Sequence, residues 1–433
     1  MKYTLDYQKY AELARRVAAE GSVLLRNEDT VLPLQKGQKV SVFGRTQFEH
    51  YKSGTGSGGM VNAPYVTNIT DSLKEDGTVR VNEALETQYR EWLKDHPFDV
   101  GEGWAMEPWN QEEMPITEET AGEDKDNSAT EGSYLLTSAE EEILQNVCNA
   151  FDRTIVVLNV GNIMDMKWVD RYQPQAVLYV WQGGQESGRA CADVLTGKVN
   201  PSGRLSDTIA EDIADYPSTE NFGDPVENFY AEDIYVGYRY FETFAKEKVK
   251  YPFGFGLSYT NFQTETIGLA VQGTQITAIA KVTNVGALPG RETVQLYLEA
   301  PQGKLGKPLR QLAAYAKTEN LKPGETEELI LKTDLTALAS YDDSGVTGHK
   351  SCYVLEAGDY IFYAGTDVRS AKKIGKVTLS KLQVTQTVTE ALAPVQAFKR
   401  MKPYFFEETG HAAVNWEDVP LRTIDLAERI LQE

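Results

Sequence analysis

"AVLYVWQGGQESGRACADVLTG", residues 176–197, decides the fold class of the first half of the chain. It opens on an uninterrupted apolar run, passes through two glycines and becomes a helical pattern that stops at Gly197. A strand that is apolar throughout is buried on both faces, as in a parallel sheet covered by helices. "TIVVLNVG" (154–161) has the same character, and the helical pattern "TSAEEEILQNVCNAF" (137–151) precedes it. The sequence therefore predicts an α/β sandwich with a mostly parallel sheet over residues 1–250.

The second half of the chain has a different periodicity. From Tyr251 onward, short alternating runs such as "TQITAIAKVTNVG" and "GDYIFYAGT" are separated by Gly, Pro and Asn turns. This pattern predicts an all-β sandwich over residues 251–385. Residues 386–433 read as a Pro-punctuated linker that ends in the helical pattern "RTIDLAERILQE".

Two segments near the N-terminus add to this organisation. Residues 7–20 predict an amphipathic helix whose apolar face carries Tyr10, Leu13, Ala14 and Val17. Residues 97–120 are acidic, aromatic and aperiodic, which predicts a long surface loop. Ordered loops of that length are often functional.

Composition excludes several classes of protein. The 433 residues carry a formal net charge of −21, so the surface repels phosphate backbones and a nucleic-acid partner is not expected. Three cysteines and four histidines, without metal-ligand spacing, predict neither a disulfide framework nor a metal site. No apolar run approaches the ~18 residues of a membrane span, and no secretory pattern opens the sequence. We expect a cytoplasmic protein without membrane contact.

The glycine-rich stretch "SGTGSGGMV" (53–61) has the spacing of a dinucleotide fingerprint. That motif works where a strand end leads directly into a helix, yet here the strand pattern ends at Gly44 and Pro64 forbids a helix running on from Gly59. A nucleotide-dependent oxidoreductase is therefore the weakest interpretation. The alternatives are a flexible surface turn, or a loop whose bare backbone must approach a ligand or another domain.

Several segments together resemble glycoside hydrolase family 3, the β-glucosidase group. The most specific is "YPFGFGLSYTNF" (251–262), in its order after "VNPSGRLSDTI" (199–209) and "EDIYVGYRYFE" (232–242). "EGSVLLRNEDTVLPL" (20–34) and the glycine stretch are also similar to the family. "GRETVQLYL" and "LKPGETEEL" resemble the fibronectin type III-like domain that follows in that family. The resemblance extends from about residue 7 to residue 385.

The resemblance implies retaining glycoside hydrolysis by two carboxylates, without metal or cofactor. An aspartate on a TIM barrel attacks the sugar, and a glutamic acid from a sandwich loop protonates the leaving oxygen. Gly122-Glu123 and Asp126 match the family's Gly-Glu-Gly-x-Asp-Arg-like motif, whereas Asp124 and Asn127 depart from it. Glu123 is thus the candidate general acid/base, with a pKa held above that of an ordinary Glu. The alternative is a solvated surface glutamate.

The resemblance also suggests where substrate is bound. Ser57, Gly58 and Gly59 correspond to a stretch that lies near the sugar or the barrel wall in the family. Trp104 and Trp109, in the long acidic loop, are candidate aromatic platforms for a sugar ring.

Two departures from the family pattern shape the functional prediction. A (β/α)₈ barrel needs ~250 residues and eight βα repeats, which this sequence does not supply. We therefore expect part of an enzyme, inactive alone, whose partner is a TIM-barrel domain or chain carrying the nucleophile. In addition, no apolar run precedes Gly122, so a strand and helix of the usual sandwich are missing between Thr120 and Ala121. The alternative function is a non-catalytic carbohydrate-binding or interaction module. Homo-oligomerisation, the sugar and the linkage stay open.

Overall fold

The computed structural model describes residues 6–54, 62–97, 114, 134–223, 226–390, 393–406 and 412–422. An α/β unit comes first. Its helices are α1 (Tyr7–Gly21), α2 (Ile69–Asp76), α3 (Glu83–Asp95), α4 (Ser138–Ala150), α5 (Lys167–Tyr172), α6 (Ser187–Leu195) and α7 (Tyr238–Phe244). Its strands are β1 (Val23–Asn27), β2 (Lys39–Val40), β3 (Arg80–Val81), β4 (Ile155–Leu158), β5 (Ala176–Tyr179), β6 (Ile209–Ala210) and β7 (Val249–Tyr251).

The predicted fold class is confirmed for this unit. β4 runs parallel to β5 and β2 runs parallel to β3, while β1 pairs antiparallel with the other side of β5. Alternate residues of the three-stranded sheet β1-β5-β4 point into two cores: Leu24 and Leu178 into one, Val23 and Val177 into the other. Both faces of the sheet are therefore buried, which explains the uninterrupted apolar runs.

Side-chain caps begin two helices of this unit. Asn68 Oδ1 accepts a hydrogen bond from the Asp71 backbone at 2.8 Å and begins α2. Thr137 and Glu140 form a reciprocal capping box at the start of α4. Such caps satisfy backbone N–H groups that the first turn leaves without partners.

The apolar face predicted for α1 is wrong. The helix forms as expected, but Tyr10, Leu13 and Val17 are all exposed and only Ala19 is fully buried. The helix instead lies against α6 through its opposite side, where Arg15 Nε donates to Asp193 Oδ2 at 2.5 Å.

An all-β unit follows, as predicted. It has two main sheets, with strand orders β11-β10-β15-β16 and β12-β9-β8, and a third sheet with the order β13-β14-β17. The inward side chains, such as Val282, Leu296 and Phe362, form one continuous core. The strands are β8 (Phe262–Gln272), β9 (Gln275–Asn284), β10 (Thr293–Glu299), β11 (Gln311–Lys317), β12 (Thr326–Asp334), β13 (Ser340–Asp342), β14 (Cys352–Leu355), β15 (Gly358–Gly365), β16 (Lys372–Leu379) and β17 (Gln383–Thr387).

Part of the predicted linker is a packed hairpin. β18 (Lys399–Phe405) pairs antiparallel with β19 (Ala412–Asp418), and Met401 and Ala412 are buried against Phe241 of α7. The prediction of a linker is therefore wrong for this stretch. Pro403 is tolerated because, within the part of the chain that the structure describes, β18 has a strand on one side only. The predicted C-terminal helix lies outside the described residues.

Side-chain contacts join the two units. Arg369 Nε donates to the buried Glu242 of α7 at 3.0 Å, and the Leu309 backbone donates to Thr243 Oγ1 at 3.0 Å. Among the described residues, no helix is long and apolar enough to cross a membrane.

Candidate functional site

The predicted site residues Glu123, Ser57, Gly58, Gly59, Trp104 and Trp109 all lie outside the described residues. The structure describes the chain on both sides of the three segments that carry them. The geometry of the site is therefore built from these flanking residues, and the roles of the six residues stay predictions.

The first flank of the glycine stretch is held by Asn159, the residue that follows β4. Its Oδ1 accepts from the Tyr51 backbone N–H at 2.7 Å, and its Nδ2 donates to the carbonyls of Tyr51 at 3.0 Å and Trp181 at 2.6 Å. Asn159 and Tyr51 are each only 7% exposed. One amide side chain thus ties the chain before the glycine stretch to the ends of β4 and β5.

The residues that follow β5 hold both flanks together. The Gly184 backbone donates to the Lys52 carbonyl at 2.8 Å, before the glycine stretch. After the stretch, the Thr67 backbone donates to the Gln185 carbonyl at 2.9 Å. The glycine stretch therefore leaves and rejoins the fold at the carboxyl ends of β4 and β5, which we call the carboxyl edge.

Close backbone packing at this edge depends on glycine. Gly184 has a φ of +75°, which favours glycine. A Cβ on Gly188, in α6, would lie 2.4 Å from the Asn68 carbonyl carbon, so α6 could not approach the start of α2. The glycines of "QGGQESG" thus position the turn between β5 and α6.

Glu186 has a structural role in this turn. It is 2% exposed, and its Oε1 accepts from the Tyr65 hydroxyl at 2.5 Å and from Arg189 at 3.3 Å. The hydrogen bond to Glu186 raises the pKa of the Tyr65 phenol. The carboxylate fixes the second flank of the glycine stretch and is not presented to a ligand.

The segment that carries Glu123 rejoins the described chain at Tyr134. Tyr134 is buried, and its carbonyl accepts from the Asp165 backbone N–H at 2.7 Å. Burial raises the pKa of the Asp165 carboxyl, but its Oδ2 accepts from the Lys167 backbone at 3.1 Å, where α5 begins. Asp165 therefore serves the helix start, and the Glu123 segment attaches beside the residues that follow β4.

The tryptophan-bearing segment starts from the same region. Arg45 is almost wholly buried; its Nε donates to Glu49 at 2.7 Å and its Nη2 to the His96 carbonyl at 2.9 Å. His96 stacks on Trp92 with ring centroids 4.1 Å apart. Arg45, in the loop that follows β2, is thereby joined to His96, which lies just before the segment that carries the two tryptophans.

His50 lies in this loop and is neutral at ordinary pH. Burial lowers its pKa to about 4. Among the described residues, no group of three or more His, Cys, Asp or Glu side chains is arranged to hold a metal ion.

Trp181 is a candidate site residue that sequence reasoning missed. It follows β5 directly, its φ is +57°, and its ring is 4.4 Å from that of Tyr179. A bulky residue in the left-handed region is strained, and such strain concentrates at functional sites. The sequence shows that Trp181 follows a strand, which was the available signal. Its left-handed backbone conformation is visible only in the structure.

Comparison with known proteins decides the family. The glycosyl hydrolase family 3 C-terminal domain matches residues 22–259, more than half of the chain, and a fibronectin type III-like domain matches residues 292–368. The chain belongs to glycosyl hydrolase family 3. The predicted family and its two-part organisation are confirmed, and the described part of this family 3 chain contains no TIM barrel.

Relatives of this family 3 chain are named as β-glucosidases. A β-glucosidase of Ruminococcus albus is 49% identical over 446 residues, covering 99% of this chain and 46% of the relative. β-Glucosidase A of Butyrivibrio fibrisolvens is 38% identical, covering 91% and 54%. A crystal structure of a Paenibacillus barengoltzii β-glucosidase superposes with a TM-score of 0.94 at 49% identity, covering 99% and 50%. The chain thus spans about half the length of the relatives it matches.

Proposed function

We propose that this chain is the acid/base-bearing part of a retaining glycoside hydrolase that acts on terminal β-linked sugars. The family and the names of the relatives support a β-glucosidase-like reaction. One observation carries the proposal further: both flanks of the glycine stretch, and Tyr134 after the Glu123 segment, attach beside the carboxyl ends of β4 and β5. Open α/β sheets bind ligands outside the carboxyl ends of their strands.

In this proposal Glu123 works as general acid and then as general base. It protonates the leaving oxygen while a carboxylate of a second domain attacks the anomeric carbon, and it later deprotonates the water that releases the sugar. Retention requires the two carboxyl groups roughly 5–5.5 Å apart. The second domain is a TIM barrel, on the same polypeptide or on another.

Substrate contacts are proposed on the same edge. Ser57, Gly58 and Gly59 approach the sugar, and Trp104 and Trp109 offer aromatic platforms. Trp181 is a further platform candidate because its half-buried ring follows β5. In an active enzyme, Trp181→Ala should raise KM several-fold with little change in kcat. Trp181→Phe should restore KM to near the value of the parent.

A direct test measures turnover of an aryl β-glucoside. The purified chain should show none. The same chain joined to the portion of the Ruminococcus albus relative beyond the matched region should show turnover. Robust turnover by the isolated chain would contradict the split of the two carboxylates.

Calorimetry separates this proposal from the alternative. The binding-module interpretation requires measurable saccharide affinity of the isolated chain, whereas the relatives favour an enzyme. Titration with glucose and cellobiose should therefore give no heat attributable to a site on the β-sandwich.

The expected domain bounds, cellular location and oligomeric state also stay proposals. The α/β domain is proposed to end at residue 250, and the β-sandwich to span 251–385. A cytoplasmic location is tested by cell fractionation. Homo-oligomerisation is left open and is tested by light scattering.

A further inference from the structure

The α/β unit contains an apolar slot between its two sheets, β1-β5-β4 and β2-β3. In the described residues β2 pairs with β3 alone and β4 with β5 alone, so each has one edge without a strand neighbour there. A cavity of about 630 Å³ lies between these two edges. We call it the strand slot.

The walls of the strand slot are the two strands and the helices above and below. Residues 38–44 line one side and residues 153–160 the other, while α4 and α2 supply the two faces. The lining is mainly apolar, and includes Val40, Val42, Ile143, Val147, Ile155 and Val157. Phe43 and Phe151 meet edge to face across it, with ring centroids 5.7 Å apart.

The chemistry of these walls favours a polypeptide strand over a small apolar ligand. A strand edge presents backbone N–H and C=O groups, which lose free energy when they are buried without partners. An apolar molecule would cover the side chains but leave those groups unpaired. An added strand pairs with both edges and packs its side chains against both helices.

The sequence outside the described residues lacks the pattern of such a strand. A strand buried on both faces reads as a near-continuous apolar run. The longest apolar run outside the described residues is Trp104–Met106, which is followed by Glu107 and Pro108. The alignments with the Ruminococcus albus and Acetivibrio thermocellus relatives span 446 and 461 residues, more than the 433 of this chain. Those relatives therefore contain residues with no counterpart here.

We propose that the strand slot is an acceptor site for one extended β-strand from another polypeptide, rich in consecutive Val and Ile residues. The strand completes the sheet between β2 and β4. This interaction does not depend on the proposed glycosidase activity, so either proposal can fail without the other.

The test uses the intact chain and a synthetic peptide, Lys-Lys-Val-Ile-Val-Ile-Val-Lys-Lys. At a peptide concentration 100 times the Kd, the amides of residues 40–43 and 155–158 that face the slot should exchange hydrogen about 100-fold more slowly. The melting temperature should rise with peptide concentration. A matched peptide with Pro in place of the central Val lacks one backbone N–H and should give neither effect.

A variant places the peptide in the slot. Val157→Lys introduces a charge into the lining and should abolish peptide protection, whereas Ile330→Lys, on an exposed position of β12, should not. Circular dichroism checks that each variant is folded, and the comparison of the two peptides stands if Val157→Lys is not.

Four results would overturn the proposal. They are an absence of protection, equal protection by the Pro peptide, slot amides that are already protected without peptide, and binding of 8-anilinonaphthalene-1-sulfonate that the peptide does not displace. The last would identify a site for small apolar molecules instead.

Discussion

Replacing Asn159 should loosen the carboxyl edge at a calculable cost. Asn159→Leu keeps the branched shape of the side chain but removes its three hydrogen bonds to the backbone of Tyr51 and Trp181. A net hydrogen bond contributes about 1 kcal/mol, and burial at this site prevents water from compensating, so the free energy of unfolding should fall by about 3 kcal/mol. For a unit of this size the melting temperature should fall by about 6–12 °C.

The assay combines thermal unfolding with local hydrogen exchange. Calorimetry gives the melting temperature, and exchange of the amides of residues 51–53 reports whether the loop detaches from the ends of β4 and β5. Asn320→Leu, at an exposed position of the β-sandwich, is the matched control and should melt within about 1 °C of the parent. If Asn159→Leu melts like the control and residues 51–53 stay protected, the amide does not hold the edge together.

Two other predictions concern packing and pH. Gly188→Ala should destabilise the protein by about 1–3 kcal/mol because its Cβ would meet the Asn68 backbone, whereas Gly268→Ala, which has open space, should have little effect in the same urea titration. His50 contributes a pH dependence. His50 takes up a proton near pH 6.5 in the unfolded chain but only near pH 4 in the folded protein. Up to about 3 kcal/mol of the free energy of unfolding is therefore present above pH 6.5 and is lost as the pH falls towards 4. His50→Gln should flatten that part of the stability curve, and His349→Gln, at an exposed position, should leave it unchanged; two parallel curves for parent and His50→Gln would contradict this reading.

Local signals in the sequence predicted the elements well. The capping residues Asn68 and Thr137 mark helix starts that the structure shows, and the apolar runs at 154–161 and 176–184 contain β4 and β5. These features depend on a few neighbouring residues and on periodicity, both of which are legible in one chain.

Features that depend on distant partners were not predictable. The hairpin of β18 and β19 carries Pro403 and charged residues, and its buried side chains pack against α7, more than 150 residues earlier in the chain. The periodicity of α1 does not show which face is buried, because Arg15 on the packed side pairs with an aspartate 178 residues away. Asn159 contacts a backbone 108 residues earlier in the chain, and no local pattern distinguishes it from an ordinary asparagine.

The candidate site follows the same division. Motif spacing predicted Glu123 and the glycine stretch. The structure adds the anchoring, at one carboxyl edge, of both flanks of the glycine stretch and of Tyr134 after the Glu123 segment. For the strand slot, the only signal in the sequence is that no apolar run precedes Gly122, which indicates a missing strand. Its position between β2 and β4 required the sheet topology.

The assignment of Glu123 can be measured in the enzyme completed with a barrel. Glu123→Gln should slow hydrolysis of glucosides with poor leaving groups by at least about 100-fold, within the range expected for loss of a general acid. With activated substrates, sodium azide should then accelerate turnover by Glu123→Gln, because it attacks the glycosyl-enzyme, and should give a β-glycosyl azide. The control Glu119→Gln should behave like the parent. Unchanged turnover by Glu123→Gln, or an azide product of α configuration, would contradict the claim that this chain donates the proton and another domain attacks the sugar.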